Sequence, residues 1–244
     1  MAIHQSPHEI ILDADVLVLG GGPAGTWAAY TAAKNGARVV LADKGFCGTS
    51  GATAPSGTNL LNLPTNPEER LLAIDLRRRL GGNLSDADWV ERTLQQTFVN
   101  MHKLAGIGYP FALDEQGLPY RGGLQGPEYM GFMRRLIVRS QVTILDYSPA
   151  LELLGDSHGV AGAAGIQQKT GQPWRVNASA VVIATGGAAF LSKSLGTNQL
   201  TGEGYLMAVE AGAHLSGMEF SSAYAISPIF SSMTKTAFYY WASY

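Results

Sequence analysis

The apolar positions of this chain fall into two kinds of run. Residues 16–19 (VLVL) are apolar throughout, the pattern of a strand buried on both faces of a parallel sheet. Residues 38–42 (RVVLA) repeat that pattern, and 180–187 (AVVIATGG) is a third such run, ending in glycines. Residues 26–34 are rich in alanine and predict a helix that stops at Asn35-Gly36. Helical periodicity returns over 67–80, 86–104 and 126–140, which predicts three amphipathic helices. Arg77, Arg78 and Arg79 fall on a solvated face of the first, and Ser85 or Asp86 caps the second. Residues 106–123 (GIGYPFALDEQGLPYRGG) read as loop with a hairpin turn. From 142 the period shortens. VTILDY (142–147) predicts a strand, and about 150–178 predicts a small antiparallel meander forming a layer of its own, with turns at 155–159 and at Thr170-Gly171. Residues 201–215 predict a helix opening on Gly202-Glu203-Gly204.

Where the first strand ends, the chain reads GGGPAG. Gly20, Gly22 and Gly25 fit G-x-G-x-x-G, placed between a strand and a helix. Each glycine has a mechanical role. Gly20 permits the tight turn, Gly22 lets the backbone approach a pyrophosphate, and Gly25 lets helix and strand pack closely. The N–H groups and dipole at the helix start attract phosphate. Asp43 ends the second strand, 18 positions past Gly25, near the spacing expected of a carboxylate on ribose hydroxyls. A carboxylate there repels a 2′-phosphate, which disfavours NADP. The motif alone does not separate FAD from NAD.

Composition narrows the classes. A net charge of -2 argues against a nucleic-acid partner. One cysteine, Cys47, gives no disulfide framework, and neither it nor His4, His8, His102, His158 or His214 forms a metal-ligand spacing. His214 reads as a packing or solvent contact, and Cys47 has no partner thiol. No apolar run approaches a membrane span, and the first residues lack the basic start and apolar core of a signal peptide, so a cytoplasmic location is expected. Residues 47–59 (CGTSGATAPSGTN) are almost all small and polar, a loop whose backbone can come close to a flat or charged ligand.

The order of these segments resembles one family: the FAD-binding flavoprotein subunits of succinate dehydrogenase, fumarate reductase, L-aspartate oxidase and adenylylsulfate reductase. The resemblance rests on VLVLGGGPAGTWAAYTAAKNGARVVLADKG, the small-residue loop, the meander, VVIATGG and TGEGYLMAVEAGAHLSGMEF, and spans nearly the whole chain. It implies an α/β fold: a Rossmann-like, mainly parallel sheet with helices on both faces plus the meander. It implies an FAD-binding domain over 1–215, with a helical insertion at about 60–140, and the beginning of an incomplete substrate-capping region over 216–244. The cofactor implied is FAD, its adenine half on Gly20, Gly22, Pro23, Ala24, Gly25 and Asp43. Lys44, Thr49, Ser50, Gly51, Thr53, Ala54, Ser56 and Gly57 would run along the pyrophosphate toward the flavin. Ala150 matches a position near the adenine. Ala184, Thr185 and Gly186 match a strand end beside the cofactor, and Glu203 matches the acid of the family's T-G-D-G.

Departures from the family pattern are informative too. Succinate dehydrogenases and fumarate reductases attach FAD to a histidine in the loop after the second strand. Ser50 stands near that position with no histidine close, so non-covalent FAD is expected. Those enzymes also carry Q-x-H-P-T, where the histidine helps hold a C4 dicarboxylate. Here Ser222, Tyr224 and Ala225 take the glutamine, histidine and proline positions, closer to the adenylylsulfate reductase branch or an uncharacterised relative. Family members run on past the aromatic cluster Phe238, Tyr239, Tyr240, Trp241 and Tyr244, through most catalytic residues and a late flavin-clamping segment. Three alternatives stay open: a fragment, a second chain that supplies the rest, or a degenerate remnant. No catalytic residue is assigned. The leading expectation is an FAD-dependent oxidoreductase, or its FAD-binding half, acting on a small-molecule substrate. An NAD-dependent dehydrogenase and a non-enzymatic FAD-binding subunit are the other two.

Overall fold

The structure is a computed structural model that describes residues 8–63, 66–192 and 195–218. The chain divides into two compact units. The first holds the residues up to Gly57 and Gly126–Met218, and the second holds Thr58–Gln125.

In the first unit the chain runs β1 (Ile10–Leu19), α1 (Pro23–Lys34), β2 (Val39–Ala42) and the short α2 (Thr53–Ser56). The second unit contributes β3 (Thr58–Asn59), α3 (Pro67–Leu80), α4 (Ala87–Gly106) and β4 (Gly123–Leu124). The first unit resumes with α5 (Gly126–Arg139), β5 (Thr143–Leu145), β6 (Ala150–Asp156), β7 (Gly159–Gln167), β8 (Gln172–Ile183) and α6 (Glu203–Glu210).

One six-stranded sheet organises the first unit, in the order β5-β2-β1-β8-β7-β6. The β5-β2-β1-β8 section is parallel, and the β8-β7-β6 section is antiparallel. The period of two divides β1 and β2 between two apolar clusters. Val18, Val39 and Leu41 pack with Ala29 of α1 and Ile137 of α5 on one face. Leu17, Leu19, Val40 and Ala42 pack on the other with Met207 of α6 and Ala163, Trp174 and Val176 of the meander. Each fully buried leucine of this core contributes about 1.5–3 kcal/mol.

The meander is therefore not a layer of its own, because β8 is a single strand that serves both sections. It pairs parallel with β1 from Trp174 to Ile183 and antiparallel with β7 from Gln172 to Asn177. The parallel section carries a local irregularity. The N–H groups of Asp15 and Val16 both donate to the Arg38 carbonyl, two residues against one, as in a β-bulge. Before the bulge Ile10, Leu12 and Ala14 face the second cluster, and after it Leu17 and Leu19 do, so the alternation slips by one. In β8 the same slip falls between Ala178 and Val181. The first strand is also longer than its apolar run, because Asp13 and Asp15 are accommodated at its less buried positions.

In the second unit, α3 opens on Asn66, whose side chain accepts from the Glu68 N–H, and has Pro67 in its first turn. The cap of α4 is Asp86, which accepts from the Trp89 N–H at 3.1 Å. A bridge between Leu113 and Pro119 closes the hairpin turn in the loop that follows α4. Among the described residues, no helix is long and apolar enough to cross a membrane.

Candidate functional site

A groove of about 290 Å³ lies at the carboxyl ends of β1, β2 and β8 in the first unit. In an open, mainly parallel sheet this is where a ligand sits, because loops and helix N-termini converge there. The glycine turn forms its floor. Gly20 has φ +107°, and a Cβ there would fall 2.3 Å from the Ala184 carbonyl oxygen. Gly25 packs beneath the turn, where a Cβ would fall 1.8 Å from the Gly20 oxygen. Gly22 differs: a Cβ there meets nothing within 4 Å, so its missing side chain leaves space in the groove rather than in the core.

Next to Gly22, α1 begins with no side-chain cap and no acidic residue in its first turn, whereas α3 and α4 both carry side-chain caps. The uncapped N–H groups and the positive helix end are available to an anion. Residues that open space for a phosphate thus stand beside the donors that would bind it, and the groove fits the pyrophosphate of a dinucleotide.

The loop after β2 supplies a second wall. Asp43 is 5% exposed. Its Oδ2 accepts from the Gly21 N–H, while Oδ1 accepts from the Gly45 N–H and the Ser50 hydroxyl, both at 2.7 Å. The carboxylate thus ties the glycine turn to the small-residue loop while still bordering the groove. Lys44 reaches to the start of α6, where Nζ donates to Glu203 Oε1 at 2.8 Å, to the Thr201 hydroxyl and to the Gln199 carbonyl at 3.4 Å. Partial burial opposes ionisation of Glu203, but the Lys44 ammonium and the Thr201 hydroxyl outweigh it and hold the carboxyl below its usual range. Gly202 has φ +88°, and a Cβ on Gly204 would fall 1.9 Å from Thr185 Oγ1, so both glycines are needed for α6 to meet the end of β8.

The groove brings together Gly20, Gly22, Pro23, Ala24, Asp43 and Lys44 from the first βαβ unit. Ser50, Gly51 and Thr53 join from the loop, Ala150 from β6, and Ala184, Thr185, Gly186 and Glu203 from the last segments. Five positions named from the sequence lie off it. Gly25 is packed as described, and Thr49 is exposed, its hydroxyl on the Phe46 carbonyl. Ala54 is buried, the Ser56 hydroxyl donates to the Ala52 carbonyl, and Gly57 caps α2 with φ +92°. Tyr224, its neighbours and the aromatic cluster at 238–244 lie outside the described residues.

Several lining residues escaped the sequence reading. Gly21 is the clearest, since a Cβ there would fall 2.5 Å from Asp43 Oδ2 and 2.8 Å from Cys47 Sγ. The unbroken run of three glycines was its signal. Met207 lies one turn after Glu203 and so shares its helix face. Ala52, Pro149, Leu151, Gln199 and Leu200 belong to no motif and arrive through the path of the chain.

Comparison with known proteins agrees with this geometry. The chain is 26% identical over 227 residues to a subunit of the fumarate reductase (CoM/CoB) of Methanothermobacter marburgensis, covering 86% of this chain and 42% of that protein. It is 29% identical over 233 residues to L-aspartate oxidase of Halobacterium salinarum, covering 84% and 44%. The chain thus spans about two fifths of the length of these relatives. The structure superimposes on adenylylsulfate reductase from Archaeoglobus fulgidus with a TM-score of 0.73 at 25% identity, covering 84% of this chain and 37% of that one. Residues 15–225 match the FAD binding domain family, which takes in the glycine turn, the Asp43 loop, β8 and the start of α6, and this FAD-binding chain belongs to that family.

Proposed function

We propose that the chain forms the FAD-binding part of an FAD-dependent oxidoreductase and holds the cofactor without a covalent bond. The observation that carries this reading is the pairing of an open Gly22 with an uncapped α1 N-terminus at the carboxyl ends of the parallel strands. When bound, FAD supplies hydride and electron transfer through its flavin N5. The chain's own residues bind and orient. The α1 N–H groups take the pyrophosphate, and Asp43, at the end of β2, takes the ribose. Lys44 and Glu203 hold α6 against the groove. Non-covalent binding is supported by Ser50, which lines the groove near the position where succinate dehydrogenases and fumarate reductases carry the flavin-bonding histidine. A second chain, or further sequence, completes the substrate site in this reading. The greater length of the relatives supports that. The lone, buried Cys47 suits a reducing, cytoplasmic setting.

The substrate in this reading is neither succinate nor fumarate. Tyr224 stands where dicarboxylate enzymes of the family carry a histidine, and a tyrosine side chain has no cationic form. It can donate one hydrogen bond but supplies no cationic contact.

The test is reconstitution of the purified protein with FAD, followed by gel filtration and acid precipitation. Flavin absorbance should travel with the protein and appear in the acid supernatant. Flavin in the pellet rejects non-covalent binding, and retention of NAD instead of FAD rejects the reading as a whole. Turnover by this chain alone, compared with turnover beside a complementing chain, separates an enzyme from a non-enzymatic subunit. Titration of the complete flavoprotein with succinate, fumarate and malonate should leave the flavin spectrum unchanged. Saturable perturbation would reject the substrate assignment.

A further inference from the structure

Outside the groove, a polar cluster in the first unit joins α5 to the residue that follows β5. Arg134 grips Asp146 with two parallel N–H bonds, Nη1 to Oδ1 at 2.9 Å and Nη2 to Oδ2 at 2.7 Å. The pair closes on one residue of the loop after β2. The Cys47 N–H donates to Asp146 Oδ1 at 2.8 Å, and the Cys47 carbonyl accepts from Arg134 Nη1 at 2.7 Å. The same guanidinium lies 3.9 Å from the centre of the Phe46 ring. Gly48 brings the loop close to α5: a Cβ there would fall 3.2 Å from Arg134 Cβ. The two charged side chains are only 24% and 20% exposed, and neither lines the groove.

What the pair grips leads directly to the groove wall. The Cys47 thiol is fully buried, with Sγ 3.6 Å from the Gly21 carbonyl oxygen and in the space a Gly21 side chain would need. Gly21 in turn donates to Asp43, which also fixes Ser50. A bidentate, charge-assisted pair this little exposed adds geometric specificity that a loose surface pair lacks. The contacts it makes on Cys47 continue through Gly21 to Asp43 and Ser50.

The geometry points to Arg134 and Asp146 as positioning residues for the nucleotide groove, acting through the Cys47 peptide on the Asp43 loop. The assignment rests on the FAD reading only in naming the ligand that the groove receives.

The experiment uses Arg134→Ala, Arg134→Lys and Asp146→Asn in the whole chain, with three measurements on each. These are the FAD dissociation constant by flavin fluorescence, the rate at which an aromatic disulfide reagent labels Cys47 in FAD-free protein, and circular dichroism as a check of folding. Arg134→Ala is expected to weaken FAD about tenfold and to speed Cys47 labelling about tenfold while the fold persists. Arg134→Lys keeps the charge but not the fork, so it should recover only part of both effects. Asp146→Asn should weaken FAD in the same direction. Combined with Arg134→Ala it should add little, as expected for two members of one contact.

A folded Arg134→Ala protein whose affinity and labelling both stay within about twofold of the parent overturns the assignment. So does faster labelling with unchanged affinity, because the pair then holds the loop without reaching the groove. Weaker affinity with unchanged labelling overturns the route through Cys47. If Arg134→Ala does not fold, Arg134→Lys carries the same two measurements, and equality with the parent in both overturns the assignment. Should the parent chain take up no FAD, the functional reading fails, while the labelling rates still decide whether the pair holds Cys47.

Discussion

Glycines 22 and 25 belong to one motif but answer to different neighbours, and single substitutions separate them. A methyl group on Gly25 would collide with the Gly20 carbonyl at 1.8 Å, and backbone cannot move aside as a flexible side chain can. Gly25→Ala should therefore cost about 3 kcal/mol of stability or more, read by urea unfolding. Gly22 has φ −74°, which alanine adopts freely, and a Cβ there meets nothing within 4 Å. Gly22→Ala should leave unfolding within about 0.5 kcal/mol of the parent yet weaken FAD about tenfold, because the methyl occupies space a pyrophosphate approaches. Equal losses of stability in the two variants would refute this division of roles. Cys47 offers a pH test at the same scale. Burial first, then the Asp43 carboxylate, push its thiol up from 9.0 to about 12. A folded-state pKa raised above the unfolded one favours the protonated form in the fold. Its contribution is complete below about pH 9 and is lost as pH rises toward about 12. Relative to Cys47→Ala, the parent should lose roughly 1.4 kcal/mol between about pH 8 and about pH 10 in urea titrations. Parallel pH profiles would show that the thiol is not so confined. The turn role of Gly20 and the packing role of Gly25 were legible in the sequence, because spacing encodes them. The three hydrogen bonds that the Asp43 carboxylate accepts were not, because they depend on a loop folding back over residues with no periodicity.

At the level of elements, local chemistry decided what could be read. The bounds of α3 were legible because Pro67 suits a first helical turn and Gly81 a helix end. The start of α4 was legible because Asp86 is a strong capping residue. That cap is testable. Asp86→Ala leaves the Trp89 N–H without its acceptor and should lower stability by about 1 kcal/mol, whereas Asp86→Asn, which keeps an oxygen, should lose little. Thermal unfolding of both variants checks it, and an equal loss in both would assign the effect to charge rather than to the cap. The first half of β1 was not legible, because its alternation is half-buried and broken by acids. The bulge at Asp15 and Val16 left no sequence signal: no glycine marks it, and it is defined only by the shared Arg38 carbonyl. For the same reason the meander read as independent. Its strands have the right period, but periodicity says nothing about which strand continues into the next section.

Across the whole molecule, the sequence placed a helical insertion at about 60–140, while the structural boundary falls at Gly126. The helix α5 explains the difference. Its periodicity predicts an apolar face but not a partner, and in the fold Met130, Met133 and Ile137 are buried, with Ile137 in the α1 cluster. Trp27 of α1 donates to the Tyr129 hydroxyl at 2.8 Å, a further tie between those two helices. The chain leaves the first unit at Gly57 and re-enters at Gly126, and these points touch: a Cβ on Gly126 would fall 2.5 Å from the Gly57 nitrogen and 2.1 Å from the Thr53 oxygen. Such adjacent ends are what an inserted unit requires of its host. Among the described residues, those that line the groove belong to the host unit. Replacing Thr58–Gln125 with a flexible linker of about four residues should therefore preserve the six-stranded sheet and its groove. The shortened protein is expected to unfold in one cooperative transition and to retain adenine-nucleotide binding, measured with ADP as the probe of the pyrophosphate and ribose contacts. Aggregation, or a non-cooperative melt, would show instead that the sheet unit depends on the inserted segment for its stability. A cooperative fold that no longer binds ADP would move the nucleotide contacts away from the glycine turn and Asp43.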